Sequence, residues 1–146
     1  MKKSGLSGNQ NPNIKVNEWQ SRIAYALKHL GDRSILNCSP LARLAYIDRL
    51  AREQYKGHLL PRGLALHDAL ISCVETVLRE VGNERGLVRA CAYLKLLVEG
   101  RSCAEISKQI GLSREHVSRI YRKKAVELVT EEFLYTIKNG ELLLNT

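Results

Sequence analysis

The chain of 146 residues carries 23 lysines and arginines against 15 aspartates and glutamates, a formal charge of +8, and it is 45% hydrophobic but only 5% aromatic. That length makes one domain with a sizeable core, and the basic excess favours polyanionic partners. One Phe and one Trp argue against a base-stacking surface for single strands, and no apolar run is long enough to cross a bilayer, so no membrane is expected.

Lys2 and Lys3 precede no apolar segment of the kind a secretion signal needs. Cys38, Cys73, Cys91 and Cys103 form no CxxC pair, so reduced thiols in a cytoplasmic protein are expected. Residues 1–16, rich in Gly, Ser, Asn and Lys, read as a flexible basic arm.

From Asn17 the pattern is helical. Asn17 is positioned to cap a helix with Trp19, Ile23, Ala26, Leu27 and Leu30 on its inner face, stopping at Gly31. Ser39-Pro40 reads as a cap and a first-turn proline opening a helix with Leu41, Leu44, Ala45, Ile47, Leu50 and Ala51, which ends near Gly57. Pro61-Arg62-Gly63 punctuates the chain before a third helix, whose face is Leu66, Leu70, Val74, Val77 and Leu78. A fourth helix from about Glu84 to Glu99 offers Leu87, Cys91, Leu94, Leu97 and Val98. It is expected to back the two helices that follow.

Those two are the most informative part of the chain, SCAEISKQIGLSREHVSRIYRKK over residues 102–124. Ser102 and Glu105 have capping-box spacing, and Ala104, Ile106 and Ile110 supply the inner face of a short helix. Gly111 stands where the helix must stop with positive φ. Ser113 caps a second helix, with Val117 and Ile120 expected to point inward. The other side chains are Arg114, Glu115, His116, Ser118, Arg119, Arg122, Lys123 and Lys124, five of them cationic and one acidic. A short helix, a glycine turn and a basic helix are what a recognition helix in the major groove requires. Beyond Lys124, Val126, Val129, Phe133 and Ile137 mark one face of a C-terminal helix ending at Asn139-Gly140, with Thr130 as a possible cap if the recognition helix breaks there.

The stretch from Arg101 to Leu128 resembles region four of bacterial sigma factors and the related response-regulator DNA-binding domains. The resemblance rests on Glu105-Ile106, the turn Gly111-Leu112-Ser113 and the arginine-rich helix from Arg114, and it covers about a fifth of the chain. Residues 29–129 more broadly resemble bacterial helix-turn-helix regions, many of which are followed by an ATPase or signalling module. No P-loop follows here before Thr146, so ATP-dependent switching is not carried over.

An enzyme is not expected. His67-Asp68 has the look of a metal pair in helical phosphohydrolases, but no aspartate follows Asp68. Cys103 and His116 lack two further ligands at metal spacing, so no metal or other cofactor is expected. The sequence therefore predicts an all-α, multi-helix domain with a helix-turn-helix in its C-terminal half. Its parts are the arm 1–16, a dimerisation or docking part 17–82, a DNA-binding part 83–129, and a C-terminal helix and tail 130–146. The expected function is sequence-specific binding of double-stranded DNA in transcriptional regulation, in the cytoplasm at the nucleoid, by a homodimer. Its DNA contacts would come from Ser102, Ser113, Arg114, Glu115, His116, Ser118, Arg119, Arg122, Lys123 and Lys124. The alternatives are a module that docks on RNA polymerase or another regulator, and a non-specific architectural DNA-binding protein. The homodimer is expected to form through apolar helix faces outside the recognition helix, including Val126, Val129, Phe133 and Ile137, with intramolecular packing of that stripe as the plain alternative. A solvated basic helix is the plain alternative for the cationic segment.

Overall fold

Apolar residues recurring every three or four positions build helix after helix, and the computed structural model, which describes residues 12–144, is all-α. Among the described residues no strand forms, and no helix is long and apolar enough to cross a membrane. The order is α1 (Pro12–Lys28), α2 (Arg33–Asn37), a 3-10 turn (Pro40–Arg43), α3 (Ala45–Gln54), α4 (Pro61–Val81), α5 (Val88–Val98) and α6 (Cys103–Ile110). Then follow α7 (Arg114–His116), a π-helical stretch (Val117–Arg122) and α8 (Lys123–Leu144).

α4 is the central helix, packed against α2, α3, α5 and α8. Its inner side is Leu66, Leu70, Val74 and Val77, joined by Ala65 and Cys73, all buried. Pro61 occupies its first turn, and the Asn37 side chain accepts the Gly63 N–H at 3.0 Å, satisfying a donor that the helix itself leaves free. α8 lies on α1, α3, α4 and α5. One continuous core runs from Ile23 to Ile137, so the division expected at residue 82 falls inside a shared core.

The joints between helices depart from expectation. Residues 1–11 of the expected arm lie outside the described residues, whereas 12–16 are already helical, so Asn17 sits within α1 and caps nothing. The helix expected to open at Ser39 is two elements. Ser39 Oγ does accept the Leu41 N–H at 3.2 Å, but it caps only the 3-10 turn. Leu44 then takes extended dihedrals and α3 starts afresh, leaving Ala45 exposed. A short α2, absent from the helices expected of the sequence, follows Asp32, whose Oδ1 accepts the N–H groups of Ser34 and Ile35 at 3.1 and 3.2 Å. The fourth helix begins at Val88, after a turn closed by the Leu87 N–H on the Glu84 carbonyl at 3.0 Å.

The C-terminal end also differs. Thr130 is buried within α8 and starts no helix, and Asn139-Gly140 does not end one. A side chain at position 140 would run into the ring of Tyr46, so glycine serves there as a point of close approach between α8 and α3. The stripe expected to mediate self-association is covered within the chain: Val126, Val129, Phe133 and Ile137 are all buried against its own helices. That surface is spent on the fold.

Candidate nucleic-acid interface

α6 starts with a complete capping box. Ser102 Oγ accepts the Glu105 N–H at 3.2 Å, and the Ser102 N–H donates to Glu105 Oε1 at 2.9 Å. That donated bond holds the Glu105 carboxyl below the ordinary carboxylate range. The helix buries Ile106 and Ser107 and half-buries Ile110, while Ala104, expected inside, faces solvent. Ser107 Oγ is satisfied by donating to the Cys103 carbonyl at 2.9 Å. Gly111 then takes φ 87°, and the N–H groups of Gly111 and Leu112 both reach the Ser107 carbonyl, at 2.9 and 3.2 Å. This left-handed stop needs glycine. Ser113 Oγ accepts the His116 N–H at 3.1 Å and opens the next helix.

The second helix runs on without a break from α7 through the π-helical stretch into α8. The π stretch decides which side chains face outward. Counting back from Phe133, Val129 and Val126 in α-helical steps would bring positions 122 and 118 inward and turn Val117 out. A π turn inserts about one extra residue into the repeat. Val117 thereby returns to the core, fully buried, and Ile120 is rotated to 44% exposure. The inner stripe expected from Val117 and Ile120 is corrected accordingly: only Val117 belongs to it.

Outward, Arg114, Glu115, Arg119, Lys123 and Lys124 are exposed together with Ile120. His116, Ser118 and Arg122 are half-buried, and Ser102 and Ser113 are exposed with their hydroxyl oxygens engaged as caps. Lys124 approaches Glu127 at 3.7 Å. Among the described residues no carboxylate lies within ion-pair distance of Arg114, Arg119 or Lys123, and Glu115, four residues before Arg119, does not pair with it. The cations surround the amino end of a long helix, where the backbone dipole adds to their field.

α5 braces this face, packing on both α6 and the π stretch. Sequence reasoning did not single out the side chains that make the brace specific. Arg89 of α5 donates to the Tyr121 hydroxyl at 3.1 Å, with its guanidinium 5.8 Å from the ring centroid, and the His116 ring lies tilted 5.7 Å from that of Tyr121. A tyrosine within an otherwise cationic helix was the available signal.

The His67-Asp68 pair has a structural occupation. The Tyr55 hydroxyl at the end of α3 donates to Asp68, and His67 Nδ1 lies 2.9 Å from the other carboxylate oxygen. The bond to Asp68 pushes the Tyr55 phenol up to about 12. Comparison with protein-family models, curated proteins and solved structures finds no match to this chain.

Proposed function

We propose that the chain binds double-stranded DNA sequence-specifically as a transcriptional regulator at the nucleoid, with Ser113–Lys124 as the recognition helix of a helix-turn-helix. The observation that carries this reading is the exposed cationic face at the start of a braced helix, with Arg114, Arg119 and Lys123 free of intramolecular ion pairs among the described residues. Arg114 and Arg119 reach base edges, where a guanidinium bridges two acceptors on guanine, and Glu115 accepts from a cytosine amino group. His116 and Ser118 line the same approach. Lys123, Lys124 and Arg122 supply charge toward phosphate, and the hydroxyls of Ser102 and Ser113, whose oxygens accept cap bonds, keep a proton to donate to phosphate.

Ile120 sharpens the reading. An exposed branched aliphatic side chain among cations gains nothing from water, and on a major-groove face it has an apolar counterpart in the thymine methyl group. Selection from random duplexes, followed by titration of the winning and scrambled duplexes at one salt concentration, tests the proposal. A specific site should be preferred by about a thousandfold or more. Equal affinity for both duplexes would leave only non-specific binding, and retention of RNA polymerase without any duplex binding would favour the docking module.

A further inference from the structure

A cavity of about 420 Å³ opens where α1, α5 and α6 meet the continuous recognition helix. Its size falls within the range of small-molecule sites. Leu27, Leu97 and Val126 give it an apolar floor, and Tyr93, nearly fully buried, closes one side. Around these stand four cations from three segments: Lys28 of α1, Arg101 before α6, and Arg114 and Arg122 of the continuous helix. Among the described residues none of its walls carries a carboxylate, and none of the four cations has one within ion-pair distance. Cations that line one cavity with no carboxylate beside them favour an anion placed among them.

We propose that this cavity binds a small organic anion with an apolar body, a monocarboxylate or phosphate monoester, and that its occupancy withdraws Arg114 and Arg122 from DNA. The second half rests on the DNA reading; the first does not. The apolar body lies over Leu27, Leu97 and Val126, and the anionic head meets the cations. Arg122 is half-buried against Tyr93, and burial pushes that phenol up while the neighbouring guanidinium pulls it back. Arg114 both lines the cavity and stands exposed at the start of the recognition helix. One guanidinium therefore serves two anionic ligands, so the cavity ligand and the duplex compete. By thermodynamic linkage each lowers the other's affinity by the same factor.

The test is calorimetric titration of the full chain with octanoate and with phenyl phosphate at constant ionic strength, with octanol as the neutral control. Saturable binding with a dissociation constant on the order of 1 mM or tighter is expected for at least one anion, the range ordinary for ligands of this size. The preferred anion identifies the head group, and octanol should bind about tenfold more weakly or worse. Ala24→Trp, which fills the cavity from α1, and Lys28→Gln, which removes an exposed cation without adding a carboxylate, should each reduce anion affinity by about tenfold or more. Neither lies on the proposed DNA face, and both should keep the wild-type affinity for the selected duplex. Anion should weaken that duplex for the wild type but not for Ala24→Trp. Failure of both anions to bind, or equal binding by the two variants, overturns the site. An equal loss of duplex affinity in Ala24→Trp overturns the competition. A wild-type chain that binds no duplex overturns the DNA reading, while the anion titration still decides the cavity.

Discussion

The helix that begins at Arg114 has two halves with opposite surfaces. From Arg114 to Lys124 only Val117 is buried, and five cations face one acid. From Ala125 to Gly140 the buried residues are Ala125, Val126, Val129, Thr130, Phe133, Ile137 and Gly140, and the charges are Glu127, Glu131, Glu132 and Lys138. A short helix in isolation is marginal in water, so the cationic half owes its order to the core half that continues it and to α5 behind it. The π turn is the joint between them. It allows one rod to keep Phe133 in the core and Val117 beneath the cationic face, at the phase that exposes Arg119 and Ile120. Where a helix must satisfy two surfaces of different phase, one extra residue is a small adjustment with a large effect on what is displayed.

That division of labour is open to direct attack. Phe133→Ala should remove about 3–5 kcal/mol of stability in a urea titration, since Phe133 is fully buried. Arg119→Ala should change it by no more than about 0.5 kcal/mol, as expected for an exposed side chain. Comparable losses from both would show that the halves do not differ as described.

Gly111→Val should cost about 2 kcal/mol and abolish duplex binding. Nothing lies within 4 Å of a side chain built there, so the cost comes from forcing a β-branched residue to positive φ. Gly111→Asn should be milder, because Asn tolerates that region. An unchanged melting temperature for the valine variant would mean that the turn is not held as observed.

On the cationic half, if the proposed DNA reading holds, Arg114→Ala and Arg119→Ala should each reduce discrimination between the selected and a scrambled duplex by about 1–3 kcal/mol. Equal weakening on both duplexes would reassign the arginine to phosphate. On the core half, Thr130→Val should stabilise the protein by about 1 kcal/mol. Thr130 Oγ1 is buried without a hydrogen-bond partner among the described residues, and valine has nearly the same shape. Melting curves of the two proteins check this, and a destabilised variant would reveal a partner for the hydroxyl.

The smallest effect concerns pH. Burial pushes the Cys73 thiol from 9 up to about 11, so the folded chain keeps a proton that the unfolded chain gives up. The stabilisation is complete below pH 9 and is lost as pH rises toward about 11. Cys73→Ala, whatever its baseline stability, should flatten that part of the pH profile. An identical slope in both proteins would place the thiol in contact with water.

Local chemistry determined much of this protein. The spacing of apolar residues sets the all-α class and most of the buried face of each long helix, because a 3.6-residue repeat permits few other arrangements. Ser102 with Glu105, Gly111 and Ser113 specify where α6 starts and stops and where the next helix begins, since each meets a backbone need within four residues. Tertiary structure decided what no local window contains. The apolar stripe of α8 could have met a second chain, and it meets α1 and α4 because the N-terminal helices present matching faces. Asn139-Gly140 reads locally as a stop, yet α8 continues through it, and the glycine is there because the Tyr46 ring leaves no room for a side chain. Ile120 lies three residues from Val117, and only the need to seat Val117 and Phe133 in one core imposes the π turn that exposes it. The cavity among Lys28, Arg101, Arg114 and Arg122 is likewise a product of packing, for its four cations are drawn together from positions up to ninety-four residues apart.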